Sequence, residues 1–240
     1  HPLSVREWCD ASDATADDAL DRIMERGGFP EPLLAEAPAE ADRWRSQYLD
    51  GLIREDILEF SRVHELRAMR VFVDMLRERV GSPLSLASIA RDLQVSPTTL
   101  TRYLDILEAL YVVFVVRPYS RNIARALLKE PKVYFFDTVL GGGSEGARFE
   151  NGCAAMLLKH VHFLNDVSGL RLSLHYVRDK EGREVDFVLC EADQPIGFAE
   201  CKLADANASP YLAALAERFP AAGAVQLVRD LRQPEQRARV

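Results

Sequence analysis

Three residues in the last quarter of the chain, Asp186, Glu200 and Lys202, have types and spacing that suit metal-assisted phosphoryl chemistry. Arg183-Glu184-Val185-Asp186-Phe187-Val188-Leu189 reads as a strand of period two, which sets Val185, Phe187 and Leu189 on one face and Asp186 on the other. In Ile196-Gly197-Phe198-Ala199-Glu200-Cys201-Lys202 the same period puts Ile196, Phe198, Glu200 and Lys202 together, facing inward. Charges that face a core are paired or bind a metal. Asp186 and Glu200 are 14 residues apart, which suits a hairpin with the two carboxylates side by side. Close carboxylates repel unless a cation lies between them, and oxygen donors suit Mg²⁺ or Mn²⁺. Such an ion polarises a phosphoryl oxygen and acidifies a bound water, which the Lys202 ammonium can orient. The plainer alternative, a polar strand end with an ordinary acid–lysine pair, fits the same spacing.

The elements around these residues predict a chain that is helical first and α/β last. Helical spacing over 15–26 stops at Gly27-Gly28, and Phe29-Pro30-Glu31-Pro32 is expected to break the chain. Longer helices are expected from about Pro38 to Ser61 and over 64–79, with Trp44, Tyr48 and Phe72 packed inward. Strands are expected at 132–136, 171–178, 184–190, 195–202 and 224–229, with helices at 147–163 and about 208–219. The Gly141-Gly142-Gly143 run is expected to be a mobile loop. The fold class expected is α/β in the α+β sense, in three parts: a helical region at 1–81, a winged helix-turn-helix at 82–130, and a mixed sheet flanked by helices at 131–240.

The middle part carries a second candidate chemistry. Ser85 is placed to cap a short helix, Gln94-Val95 to turn, and Ser96-Pro97 to open a second helix ahead of the β-branched run Val112 to Val116. Thr98, Thr99, Thr101 and Arg102 fall on the polar side of that second helix, where a reading helix presents short polar groups and an arginine. Arg121, Arg125 and Lys129 recur every four residues, so one helical face would be basic and could follow a phosphate backbone. DNA contact by Arg102, Arg121, Arg125 and Lys129 therefore stands beside the alternative of packing or protein contact.

Charge limits that contact to a local patch. The net charge is -7, with residues 1–60 at -9 and residues 82–130 at only +2. The longest apolar run, Ala109 to Val116, is eight residues, against about 20 for a bilayer span, so no membrane partner is expected. The start, His1-Pro2-Leu3-Ser4, shows no basic stretch followed by an apolar one, so no signal peptide is expected, and it lacks an initiator Met, so a chain cut from something longer or processed is expected. Cys9, Cys153, Cys190 and Cys201 form no C-x-x-C pair and read as reduced thiols of a cytoplasmic protein. His160 and His162, two apart on a helix, cannot share a metal there, and His175 reads as structural.

Asp186 followed by Glu200-Cys201-Lys202, with Phe149-Glu150-Asn151 on a preceding helix, resembles the PD-(D/E)XK nuclease superfamily. More of the chain falls into an ordered pattern: Pro2-Leu3-Ser4, Gly27-Gly28-Phe29-Pro30, Arg54-Glu55-Asp56-Ile57, the helix-turn-helix, Pro131 to Asp137, Phe149-Glu150-Asn151 and Glu184-Val185-Asp186-Phe187. This order is similar to that of prokaryotic AAA-type ATPases carrying a C-terminal domain of unknown function with a PD-(D/E)XK-like fold. The resemblance implies an ATPase lid-like remnant over 1–81, a restriction-endonuclease-like sheet over 131–240, and Glu150, Asp186, Glu200 and Lys202 as the catalytic set, with Mg or Mn on Asp186 and Glu200. It implies an upstream ATPase domain of the same protein and DNA as partners. The superfamily's proline before the first acid is absent, and Cys201 fills its variable position. No G-x-x-x-x-G-K-[ST] loop is present, so ATP binding by these residues alone is not expected. The function implied is metal-dependent hydrolysis of DNA phosphodiesters; the alternatives are a non-catalytic DNA- or protein-binding module and an internal regulatory part of the ATPase.

Overall fold

The computed structural model describes the whole chain except residues 59–62, 121–129, 205–206, 208 and 232–240, and gives the backbone alone over 53–58 and 63–66. The fold is mixed α/β, in two compact units, 1–160 and 161–240. Among the described residues no helix is long and apolar enough to cross a membrane.

The first unit begins with helices whose ends are written locally. Helix α1 (Val5–Ala11) is held by a capping box, in which Ser4 and Glu7 satisfy each other's backbone N–H groups. Helix α2 (Ala16–Arg26) starts at Thr15, which accepts from the Asp18 N–H, and stops at Gly27, whose φ of 80° ends the helix. The expected break at Phe29–Pro32 is instead a short helix, α3 (Pro30–Leu34), because proline at the first helical position gives up only an N–H that has no helical partner. Helices α4 (Pro38–Leu58) and α5 (Val63–Arg77) follow. Trp44 and Tyr48 are only half-buried, stacked at 4.7 Å between ring centroids and capped by Phe29.

Helix α6 (Leu86–Leu93) turns through Gln94, at φ 54°, into α7 (Pro97–Ala109). Ser96 caps α7 by accepting from the Thr99 N–H at 3.0 Å, whereas the Ser85 hydroxyl makes no cap bond on α6. The buried stripe of α7, Leu100, Tyr103, Leu104 and Leu107, faces the core. Strand β1 (Val113–Pro118) then pairs antiparallel with β2 (Lys132–Phe135), Val113 opposite Phe135 and Val116 opposite Lys132. The triple-glycine run is pinned rather than loose: the Gly142 N–H donates to Arg77 O at 3.1 Å, and Arg77 Nε donates to Leu140 O at 2.8 Å.

Helix α8 (Glu145–Ser168) runs through the boundary between the units. The second unit is a four-stranded sheet. Strands β3 (Leu172–Arg178), β4 (Glu184–Glu191) and β5 (Gln194–Ala204) form an antiparallel meander. Helix α9 (Pro210–Arg218) then carries the chain to β6 (Gly223–Asp230), which lies parallel to β5. A connection that returns parallel needs such a crossover element. Val185, Phe187, Val188, Cys190 and Phe198 are its buried centre.

Candidate active site

The hairpin expected of 184–202 forms. Its turn holds Ala192 and Asp193 at φ of 44° and 67°, two consecutive left-handed residues, as a two-residue connection of right-twisted strands demands. The register sets Phe187 opposite Ala199, Val188 opposite Phe198 and Leu189 opposite Gly197. Carried one step further it brings Asp186 opposite Glu200, and opposite residues of an antiparallel pair share a face. The link between the strands continues there, because the Cys201 N–H donates to Asp186 Oδ2 at 2.8 Å.

Two irregularities shape this face. Between β3 and β4 the register steps from His175 opposite Val188 to Val177 opposite Val185, so Asp186 and Phe187 together oppose Tyr176. Such a bulge re-aims side chains, and here it lies at the acid. A second shift, between Leu189 and Cys190, makes Ile196 the extra residue of β5. The expectation that Ile196 shares an inward face with Phe198 is therefore corrected: Ile196 is 40% exposed and Phe198 2%. Leu189 likewise departs from period two and is half-buried, while its neighbours Val188 and Cys190 are buried.

Glu200 is 6% exposed, an unusual position for a carboxylate. Lys202 Nζ lies 2.8 Å from Glu200 Oε1, whereas Oε2 is buried with no hydrogen-bond partner. The hydrogen bond that Lys202 donates to Glu200 raises the Lys202 pKa above the usual lysine value; partial burial opposes this, and the negative charges of Glu200 and Asp186 add to it. On the other side of Glu200, the parallel register sets Gln226 of β6 beside it. Sequence reasoning marked 224–229 as a strand but passed over Gln226, because only the β5–β6 pairing reveals which of its polar side chains neighbours Glu200.

Asp186, Glu200 and Lys202 thus lie within reach of one another. Glu150 belongs to the first unit, where its Oε1 takes a hydrogen bond from Lys132 Nζ at 3.0 Å and from Tyr134 Oη at 2.6 Å. Arg102 is exposed on α7 beside Thr98 and Thr101, while the Thr99 hydroxyl is engaged with Ser96 at 2.8 Å. Arg121, Arg125 and Lys129 lie outside the described residues.

The donor set tests whether Mg²⁺ or Mn²⁺ suits these residues. Two carboxylates bring oxygen donors, and the buried, unbonded Oε2 of Glu200 is a group that a cation would satisfy. Among the described residues no three His, Cys, Asp or Glu side chains converge. A magnesium-type ion held by one or two carboxylates, with water and phosphate oxygens completing it, needs no third.

Residues 17–145 match the family model described as Domain of unknown function (DUF8612), and residues 145–239 match Domain of unknown function (DUF4143). Uncharacterized proteins of Mycobacterium bovis and Mycobacterium tuberculosis are each 34% identical over 199 residues, covering 75% of this chain and 42% of their own length. An uncharacterized protein of Haemophilus influenzae is 24% identical over 211 residues, 81% of this chain and 50% of its own. The chain therefore spans half or less of the curated relatives it matches. No solved structure matches.

Proposed function

The chain belongs to the family described as Domain of unknown function (DUF8612), and on that premise we propose that it is the C-terminal portion of a cytoplasmic AAA-type ATPase whose restriction-endonuclease-like part hydrolyses DNA phosphodiesters with a divalent metal. The observation that carries this reading is Glu200: a buried carboxylate with one oxygen on Lys202, the other unbonded, on a hairpin that brings Asp186 across from it. Asp186 and Glu200 would hold Mg²⁺ or Mn²⁺, which when bound would supply a Lewis acid for the phosphoryl oxygen and an acidified water. Lys202, kept charged by Glu200 and Asp186, orients the water and faces the phosphate. The Cys201 N–H fixes the Asp186 carboxylate in its aim. Arg102, on the exposed side of α7, contacts the DNA backbone.

Manganese-dependent cleavage of plasmid and single-stranded DNA tests this. The expected result is cleavage by the wild-type chain, lost in Asp186→Asn, Glu200→Gln and Lys202→Met with the fold retained. Cleavage that survives all three substitutions rejects the assignment. A second reading, a nuclease-like module that binds DNA or protein without cutting, has its own support: Lys202 already neutralises Glu200, and Glu150 is spent on Lys132 and Tyr134. DNA binding without cleavage in any divalent metal, with affinity that falls with salt, selects it.

A further inference from the structure

Arg26, in the last turn of α2, is 5% exposed. A guanidinium has five N–H donors and does not shed its charge, so a buried one is normally met by acceptors. Among the described residues neither Nε nor Nη1 of Arg26 makes a hydrogen bond, and both are buried. Its acidic neighbour is Glu25, whose Oε1 is 3.5 Å from Nε and whose side chain is 58% exposed. The carbonyl oxygens of Ile23, Met24 and Arg26 at this end of α2 already accept hydrogen bonds. Thr138 Oγ1 donates to Ile23 O at 3.0 Å, Arg148 Nη2 to Met24 O at 3.1 Å, and Arg45 Nη2 to Arg26 O. Asp137, the buried acid of the neighbourhood, accepts from Arg45 Nε and from the Val139 N–H, both at 3.0 Å. Three arginines therefore gather at one helix end, and the buried carboxylate there serves Arg45.

We propose that Arg26 is a receptor for an oxyanion, a carboxylate or a phosphate group, supplied from outside the described residues. A planar guanidinium pairs well with either group, and Nε and Nη1, which lie on different edges of its plane, are buried donors without a hydrogen-bond acceptor. The carboxylate source is an acidic side chain of a longer protein; the relatives extend well beyond the matched region, which covers 42% and 50% of their lengths. The phosphate source is a free or esterified phosphate. The two share one chemistry and differ in which anion the site prefers.

The test is the melting temperature of the chain, with inorganic phosphate titrated in one arm and acetate in the other, ionic strength held constant with KCl. The wild type is expected to show a saturable rise. A rise that saturates at lower phosphate than acetate identifies a phosphate ligand, and the reverse order a carboxylate. Arg26→Met, close in volume and without charge, is expected to lose the saturable rise and to melt no lower than the wild type in KCl alone, since it removes a buried guanidinium with two unbonded nitrogens and only a long ion pair to the exposed Glu25. Arg26→Lys keeps the charge without the fork and is expected to lose most of the rise; it decides the matter if Arg26→Met does not fold. Absence of any saturable response in the wild type, or an equal response in wild type and Arg26→Lys, overturns the proposal.

Discussion

Asp137 of the first unit and Glu200 of the second are both buried carboxylates, and they differ in how completely their own oxygens are matched. Asp137, 1% exposed, gives one oxygen to Arg45 and the other to the Val139 N–H. Gly27 makes room for it: a Cβ there would overlap Asp137 Oδ1. Close by in sequence, Asn151 is fully buried and closes the free edge of Phe135, accepting its N–H at 2.7 Å and donating to its carbonyl at 3.0 Å. Glu200, just as buried, leaves Oε2 unbonded and shares Oε1 with a lysine whose side chain is 38% exposed. A carboxylate with both oxygens matched fixes shape; a buried carboxylate oxygen left unmatched costs stability and is retained where something else uses it.

The comparison has its largest expected effect at Asp137. Asp137→Ala strands the buried Arg45 guanidinium and is expected to lower unfolding free energy by about 3–5 kcal/mol in urea titrations. A loss under about 1 kcal/mol would break the view that this cluster is structural. Asn151→Ala leaves the N–H and C=O of Phe135 buried without partners and is expected to cost about 1–3 kcal/mol. The same titration checks it, and a neutral result would mean that water replaces the amide.

Glu200→Gln sits on the other side of the contrast. It removes one ion pair with a partly exposed lysine and an unmatched buried anionic oxygen, so the two changes oppose each other. The expected change without metal is within about 1 kcal/mol of zero. With Mn²⁺ the wild type is expected to melt higher than in chelator and Glu200→Gln to melt the same in both. A loss as large as that of Asp137→Ala, with no manganese effect in the wild type, would make Glu200 a structural residue like Asp137.

The sequence was legible in proportion to how local each feature is. The cap at Ser96, the stop at Gly27 and the hairpin from 184 to 202 all follow from neighbours in the chain. Pro30 misleads, since the same residue that breaks a helix also begins one. Period two could not foresee the register shifts at Asp186–Phe187 and at Ile196, because a bulge adds a residue to one strand against its partner and changes no residue type. The Asp137 cluster was the least legible. Arg45 and Asp137 are 92 positions apart, and nothing in either segment alone names the other. The ordered motifs pointed at Gly27, Asp137 and Asn151 without saying that the first two touch. Glu150, two residues beyond Arg148, was assigned through resemblance, and its contacts with Lys132 and Tyr134 depend on how α8 lies on β2.

The smallest expected effect belongs to a polar contact that is neither buried nor unmatched. Glu7, with its side chain 43% exposed, receives hydrogen bonds from Lys159 Nζ and from the Ser4 hydroxyl and N–H, while Lys159 also donates to Pro2 O at 2.8 Å. Partial burial alone would raise the Glu7 pKa, but these bonds outweigh it and bring it from 4.5 down to about 2. A carboxyl with its folded pKa below its unfolded one stabilises the fold fully above the unfolded value. That contribution is lost as pH falls from about 4.5 toward 2. Because water screens the pair, it amounts to about 1 kcal/mol or less. The melting-temperature difference between wild type and Lys159→Met measures it. The difference is expected to be constant from pH 7 to about 5 and to shrink as pH falls further. A gap that stays the same down to pH 3 would assign the Lys159 effect to its bond with Pro2 O, and Glu7 would then add nothing to the way α1 is held.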